Sequence, residues 1–145
     1  YGLAEALAML FQEGLPNVYS RHDRFGEATR RAVRAWGLEI QCAEPAEYSS
    51  VLTGVVMPEG HSADAFRRVV LERCDMSLGQ GLGRLSGKVF RIGHLGWFND
   101  LMLCGTLAGV EMGLALAGVP HRKGGVDAAM GYLVDAARHA LPRAA

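Results

Sequence analysis

One stretch decides the fold, residues 79–99, which read Gly79-Gln80-Gly81-Leu82-Gly83-Arg84-Leu85-Ser86-Gly87-Lys88-Val89-Phe90-Arg91-Ile92-Gly93-His94-Leu95-Gly96-Trp97-Phe98-Asn99. A glycine-rich loop leads into a short strand predicted at 89–92. The two-residue period of a strand places Phe90 and Ile92 on one face and Arg91 on the other. A second glycine cluster follows, and Asn99 is a favourable N-cap for the apolar helix behind it. The pattern therefore places one guanidinium between two loops that leave room for a small molecule.

Arg91 has two interpretations from the residues alone. Its planar fork of donors matches a carboxylate bidentately, which favours binding of the acid group of an amino or keto acid. Alternatively, it is an ordinary strand-end arginine that pairs with an acidic neighbour or faces solvent. Spacing alone leaves both interpretations open.

The composition is that of one ordinary globular domain with its own core. The chain has 145 residues, of which 50% are hydrophobic and 21% are charged. Lys+Arg and Asp+Glu each number 15, so the charge balance does not indicate binding to nucleic acid or to an anionic membrane. Three separated cysteines, Cys42, Cys74 and Cys104, suit a reducing compartment, and the histidines lack metal-ligand spacing. We therefore expect a cytoplasmic protein without a metal site.

Periodicity and end signals predict the element order helix, helix, strand, strand, helix, strand, strand, helix, helix. The predicted elements are a helix ending at Gly14, a helix from an Asn17 cap to Gly37, strands at 38–42 and 51–57, a helix from a Ser62 cap to Cys74, strands at 76–79 and 89–92, an apolar helix at 101–119 and an amphipathic helix at 125–139. This order predicts a small α/β sandwich, with a mainly antiparallel sheet covered by helices.

Two of these helices are expected to be amphipathic. On the second helix the predicted apolar face is Val18, Phe25, Ala28, Ala32 and Trp36. Its other face carries Arg24, Arg30, Arg31 and Arg34. Because acidic residues are interleaved with these arginines, we expect a solvated face and not a phosphate site. On the last helix the predicted apolar face is Val126, Met130, Leu133, Val134 and Ala137.

The apolar segment 101–119 is long enough to span a bilayer, and Gly105, Gly109 and Gly113 repeat in it at intervals of four. Glu111 lies near its middle, and a carboxylate there costs about 3 kcal/mol on insertion scales. We therefore expect a buried helix, ended by Pro120, whose glycine ridge packs closely on the sheet or on another helix.

The glycine loop does not fit the known phosphate-binding motifs. A Walker A loop needs a Gly separated by four residues from the Gly-Lys pair, and a Ser or Thr after it, where this chain has Leu82 and Val89. The dinucleotide pattern fails at Ser86, and a strand follows the loop in place of a long helix. His94 could act as an acid or base near a ligand, but a hydrogen-bonded structural histidine in a turn is the simpler interpretation.

In this same run the sequence resembles the class V aminotransferases that depend on pyridoxal phosphate, and among them the serine–glyoxylate and alanine–glyoxylate group. The motifs that carry the resemblance are Gly81-Leu82-Gly83, Gly87-Lys88-Val89, Phe90-Arg91-Ile92-Gly93-His94-Leu95-Gly96, Phe98-Asn99-Asp100 and Gly124-Gly125-Val126-Asp127-Ala128-Ala129-Met130. The resemblance extends from Tyr1 to about Leu141. It implies the C-terminal small domain of a fold-type I aminotransferase, which closes over a cofactor held by a larger domain.

The resemblance also implies roles for particular residues. Arg91 stands where the family's arginine binds the α-carboxylate of the substrate, and Gly81, Leu82 and Gly83 form a candidate active-site loop. The implied cofactor is pyridoxal 5'-phosphate, and the implied substrates are small amino and keto acids. Because members of the family generally form dimers, the resemblance also implies a homodimer. Neither Lys88 nor Lys123 matches the family's Schiff-base position.

We therefore expect the chain to be the C-terminal part of an aminotransferase that transfers an amino group from serine or alanine to glyoxylate, and to be inactive alone. In this interpretation residues 1–36 are a helical segment leading from a larger domain, and residues 37–145 are the small domain. The alternative is a stand-alone module that binds carboxylates or dimerises without catalysis.

Overall fold

The computed structural model describes residues 1–139, with side chains through Arg138. Within this part of the chain, four strands form one antiparallel sheet in the order β1-β2-β4-β3. The strands are β1 (Glu39–Ile40), β2 (Leu52–Val56), β3 (Gly79–Gln80) and β4 (Val89–Gly93). The predicted antiparallel sheet is therefore confirmed, with β4 in the interior.

Five helices accompany this sheet in the described part of the chain. They are α1 (Gly2–Glu13), α2 (Leu15–Trp36), α3 (Ala63–Cys74), α4 (Asp100–Leu116) and α5 (Gly125–His139), with short 3-10 turns at Pro45–Glu47 and Gly83–Leu85. Helices α2 and α3 contact the strands directly, α4 packs against α2 and α3, and α5 packs against α2 and α4. The predicted order of helices and strands is confirmed.

The core lies between the sheet and these helices. Alternation along the strands turns Val55, Phe90 and Ile92 toward the helices, and all three are fully buried. Phe66 of α3 packs on Phe90 with ring centroids 4.6 Å apart. The apolar face predicted for α2 is confirmed, and it shares this one core with the elements after residue 37. The predicted division of the chain into residues 1–36 and 37–145 stays a prediction. The last residues of the second part, 140–145, lie outside the described residues.

Several helix ends agree with their sequence signals. Gly37 adopts a left-handed conformation with φ 77° and ends α2, as helix C-termini commonly do. The Ser62 side chain accepts from the Ala65 amide at 3.3 Å, and the Asn99 side chain accepts from the Met102 amide at 2.9 Å. Both predicted N-caps are therefore confirmed.

The predicted start of α2 and the predicted extent of the strand at 76–79 are wrong. Helix α2 begins at Leu15 and not after Asn17, because Pro16 fits the first turn and the side-chain amide of Asn17 donates to the carbonyl of Glu13 at 2.8 Å and does not cap the helix. The strand predicted at 76–79 is confined to Gly79–Gln80, since Met76 packs against the core next to Gly109.

The glycine ridge of α4 is confirmed in part. A Cβ at Gly113 would meet Val70 and one at Gly109 would meet Met76, so α3 and its following loop approach closely there. Gly105 faces open space, which contradicts its place in the predicted ridge. Helix α4 ends at Leu116, four residues before Pro120. Among the described residues, no helix is long and apolar enough to cross a membrane.

The predicted apolar face of α5 is only partly correct. Leu133 is buried, but Met130 and Val134 are exposed, and Ala129 takes their place in the core. Helix α5 packs against both α2 and α4. Its buried face is therefore narrower than the predicted apolar face and is turned toward Ala129.

Candidate functional site: the Arg91 face of the sheet

Arg91 projects from an interior strand on the face of the sheet opposite the helices. Its neighbour across β2 is Gly54, and its neighbour across β3 is Gly79. Residues directly opposite in a sheet share a face, so the Arg91 side chain has no side chain beside it on either adjacent strand. The sheet therefore provides a guanidinium on an open glycine floor.

The glycine at position 79 leaves room for the Arg91 side chain. A Cβ there would lie 3.1 Å from Arg91 Cβ and 3.2 Å from Arg91 Nε. Arg91 is half-buried, and its Nε is a buried donor without a partner within residues 1–139. Because buried donors are nearly always paired, an unpaired arginine nitrogen of this kind suits an acceptor that arrives with a ligand.

Arg91 lines a groove of about 380 Å³, which we call the Arg91 groove. Its lining comes from α2, β2, β4, the glycine loop and the segment 40–49. It consists of Arg30, Ile40, Gln41, Cys42, Glu47, Tyr48, Ser49, Leu52, Thr53, Gly54, Gly81, Leu82, Leu85, Val89 and Arg91. The groove is large enough for a small organic acid.

Two of the three candidate loop residues line the Arg91 groove, and the third does not. Gly81 and Leu82 line the Arg91 groove, whereas Gly83 is outside its lining and adopts φ 54° in the adjacent turn. Gly81 also has a structural reason to be glycine, because a Cβ there would collide with the carbonyl of Leu85 and lie 2.9 Å from that of Val89. A role for these three residues in binding stays a prediction.

The groove is also lined by residues that the sequence did not single out for binding. Tyr48 follows the 3-10 turn, and the Arg30 guanidinium lies 5.0 Å from its ring centroid. Gly54, in the middle of a β-branched strand, was the one available signal, since glycine weakens a strand unless a close approach needs it. Register, which decides that Gly54 and Gly79 flank Arg91, could not be obtained from that signal.

Sequence and structural comparisons agree on the family. The chain is 50% identical over 134 residues to a serine–glyoxylate aminotransferase of Methylorubrum extorquens, which covers 92% of this chain and 33% of that protein. It is 47% identical over 144 residues to the serine–glyoxylate aminotransferase of Arabidopsis thaliana, covering 98% of this chain and 35% of that protein. The chain is part of a class V aminotransferase. No protein-family model matches it.

The fold comparison places this class V aminotransferase chain in the same group. The structure of pyridoxamine–pyruvate aminotransferase from Mesorhizobium loti superposes with a TM-score of 0.88 at 29% identity, over 93% of this chain and 35% of that one. The chain thus spans about a third of the length of the proteins it matches, which is consistent with a C-terminal part.

The lysines of this class V aminotransferase chain do not fit an aldehyde-binding role in the groove. Within residues 1–139, Lys88 and Lys123 are both exposed, and neither is among the residues that line the Arg91 groove. The groove provides a guanidinium for an acid, and its described lining contains no lysine that could bind an aldehyde.

His94 is a structural residue on the helix-covered side. It is fully buried, its Nδ1 donates to the carbonyl of Ser50 at 3.1 Å, and its Nε2 accepts from the Thr53 hydroxyl at 3.0 Å. Burial lowers the pKa of His94 to about 4, so the ring is neutral near pH 7. With both nitrogens paired, His94 is the hydrogen-bonded turn histidine that its glycine neighbours indicated.

The arginines of α2 are paired more fully than a simple solvated face would require. Glu27 accepts from Arg30 Nε at 3.2 Å and from Arg31 Nε at 3.0 Å. Burial raises the pKa of Glu27, but these hydrogen bonds outweigh it and leave the pKa lowered. Arg24 forms a bidentate pair with Asp100 at 2.6 and 2.9 Å, which ties α2 to the start of α4.

A larger apolar cavity of about 800 Å³ lies between α1, the start of α2 and the loop 95–97. Its polar groups pair with one another: Arg21 forms a bidentate pair with Glu13 at 2.6 and 2.8 Å, and His22 Nε2 accepts from the Gly96 amide at 3.1 Å. Among the described residues, no group of three His, Cys, Asp or Glu side chains is placed to hold a metal ion.

Proposed function

We propose that the complete protein transfers an amino group from serine or alanine to glyoxylate, with Arg91 binding the α-carboxylate of the substrate. The observation that carries this proposal is the unpaired, buried Nε of Arg91 on a floor made by Gly54 and Gly79. A carboxylate can accept two parallel N–H bonds from such a fork. The serine–glyoxylate names of the relatives support the choice of substrates.

Pyridoxal 5'-phosphate is the cofactor proposed for the complete protein, where it would carry the amino group. Neither Lys88 nor Lys123 is proposed to bind it, because neither lies in the Arg91 groove. The contribution of this chain is to orient the acid end of the substrate, and we propose that the chain is inactive alone. The three cysteines are free thiols, which supports a cytoplasmic location for the complete protein.

Replacement of Arg91 by alanine in the full-length protein tests the assignment. Loss of a charge-assisted bidentate contact should cost about 2 to 3 kcal/mol, or roughly 100-fold in kcat/KM for serine and glyoxylate. The matched control is Arg84→Ala, since Arg84 is exposed in the same loop and lies outside the groove lining. An unchanged kcat/KM for Arg91→Ala would refute the proposed role.

The second candidate function is a stand-alone module that binds carboxylates or dimerises. Helix α1 favours it, because Leu3 and Phe11 are 75% and 66% exposed on a helix of which no residue is buried within the described part of the chain. Absorbance of the purified 145-residue chain with pyridoxal phosphate tests the cofactor part of the first proposal. A pyridoxal absorbance band retained after removal of free cofactor would contradict our proposal that the cofactor lysine lies elsewhere.

We also propose that two copies of the complete protein associate as a homodimer. The exposed apolar residues of α1 and the neighbouring Trp97, which is 72% exposed, support an interface at this end of the molecule. Sedimentation of the wild type and of a Phe11→Ser variant tests this, and a monomer at micromolar concentration for the wild type would overturn it.

A further inference from the structure

The Arg91 groove is bounded on one side by the segment 43–49. From Arg91 the floor crosses Gly54 on β2 and reaches Gln41, whose amide donates to the Gly54 carbonyl at 3.0 Å. Two strand spacings separate Arg91 from this edge, or about 10 Å between backbones. Tyr48 lies in the connection between β1 and β2 and lines the same groove. An acid bound to Arg91 would therefore share a groove of about 380 Å³ with the Tyr48 ring.

The Tyr48 ring is held in place by arginines of α2. Arg30 lies 5.0 Å and Arg34 lies 5.9 Å from the ring centroid. Arg30 is itself fixed, because its Nε binds Glu27 at 3.2 Å, its Nη1 donates to the Ser49 carbonyl at 3.3 Å, and its side chain is only 12% exposed. A stacked guanidinium with these bonds restricts the ring more than solvent contact would.

The local backbone is shaped to accept Arg30. A Cβ at Gly26 would lie 2.9 Å from Arg30 Nη1 and 3.4 Å from the carbonyl of Ser50, so glycine makes room for both groups. On the other side of the segment, His94 donates to that same Ser50 carbonyl. The segment that carries Tyr48 is thus held from α2 and from the end of β4, and its position is set before any ligand binds.

We propose that Tyr48 is a specificity-determining residue that limits the size of the group beyond the α-carbon, so that the groove takes two- and three-carbon 2-oxo and 2-amino acids. Arg30 is the positioning residue that holds the Tyr48 ring. This inference rests on the proposed function, since it requires that Arg91 bind the substrate carboxylate. It assigns the selection against longer acids to one ring that lines the same groove as Arg91.

The test compares three probes, glyoxylate, pyruvate and 2-oxohexanoate, in the full-length protein. Dissociation constants from calorimetry and KM values from turnover are measured for the wild type, Tyr48→Ala and Tyr48→Phe. Tyr48→Ala should improve binding of 2-oxohexanoate relative to pyruvate by about 10-fold, because three added methylene groups then find space. Tyr48→Phe should keep the wild-type ratio. If Tyr48→Ala weakens all three acids equally, the ring supports the fold and the inference is wrong.

Arg30 and Arg31 provide a matched pair for the positioning role. Both bind Glu27, but Arg30 stacks on Tyr48 whereas Arg31 stacks on Tyr132, 4.3 Å from its ring centroid. Arg30→Gln should shift the 2-oxohexanoate to pyruvate ratio in the same direction as Tyr48→Ala, by about 3-fold, and Arg31→Gln should leave it unchanged. Equal shifts from the two variants would overturn the positioning role.

Arg91→Ala separates the failure of this inference from the failure of the proposed function. If Arg91→Ala loses all three acids while Tyr48→Ala leaves their ratio unchanged, the size limit is wrong and the carboxylate role stands. If Arg91→Ala binds all three acids as the wild type does, the proposed function fails and this inference fails with it.

Discussion

Glu111 and Arg91 are both charged residues within apolar elements, and they differ in how their polar atoms are satisfied. The Glu111 carboxylate accepts from the Trp36 indole at 2.8 Å and from the amides of Gly124 and Val126 at 2.9 and 3.2 Å. Arg91 Nε is buried without a partner within residues 1–139. A fully satisfied charge stabilises the fold, whereas an unsatisfied one of this kind is where a ligand is expected.

The surroundings of Glu111 keep its carboxylate charged. Burial raises its pKa, but the hydrogen bonds from the Trp36 indole and from the backbone amides of Gly124, Gly125 and Val126 outweigh burial, so the pKa is lowered. These amides stand at the start of α5, where a helix favours negative charge. Glu111 therefore joins α4, α2 and α5 through one carboxylate.

Replacement of Glu111 should give the largest stability change. Glu111→Ala leaves the buried Trp36 indole and the first amides of α5 without an acceptor, which should lower the free energy of unfolding by about 3 kcal/mol. Glu111→Gln keeps an acceptor oxygen and should lose less than half of that. Urea denaturation of the 145-residue chain measures both changes. A loss below about 1 kcal/mol for Glu111→Ala would contradict the claim that the Glu111 carboxylate stabilises the fold.

His94 is a third ionisable group of this chain, and it should make stability depend on pH. Its pKa in the folded chain is about 4, below the ordinary value of 6.5, so the unfolded chain binds the proton more readily. Stability from His94 is therefore present above pH 6.5 and is lost as the pH falls toward 4. Between pH 7 and pH 5 the free energy of unfolding should fall by about 2 kcal/mol through this group.

His94→Gln isolates this contribution from that of the carboxylates. The variant should be less stable than the wild type at pH 7, because the bonds to Thr53 and to the Ser50 carbonyl are altered, but it should lack the 2 kcal/mol fall. Denaturation midpoints at a series of pH values measure the difference in slope. If stability depends on pH equally in the two proteins, then His94 binds a proton as readily in the folded chain as in the unfolded chain, and this prediction is wrong.

Local signals were enough to predict the elements, because each signal acts within a few residues. Gly37, Ser62 and Asn99 all end or begin helices as their chemistry requires. The alternation that places Arg91 opposite Phe90 and Ile92 also follows from the period of a strand. Where the signal was ambiguous, as at Pro16 and Asn17, the observed helix start differs from the predicted one by three residues.

The arrangement of the candidate site could not be predicted, because it depends on contacts between distant residues. Register brings Gly54 and Gly79 to either side of Arg91, and α2 brings Arg30 onto Tyr48. Likewise, the bond from Trp36 to Glu111 joins residues 75 positions apart. Such pairings follow from packing of the whole core, which no local pattern encodes.

Arg91 should give the smallest stability change and thereby complete the comparison with Glu111. Arg91→Met keeps most of the apolar stem and removes a buried donor that has no partner within residues 1–139, so the free energy of unfolding should change by less than about 1 kcal/mol, with a gain as readily as a loss. Urea denaturation beside Glu111→Ala measures this. A loss above about 2 kcal/mol would show that Arg91 supports the sheet. The distinction between Glu111 as a structural charge and Arg91 as a ligand-binding charge would then be wrong.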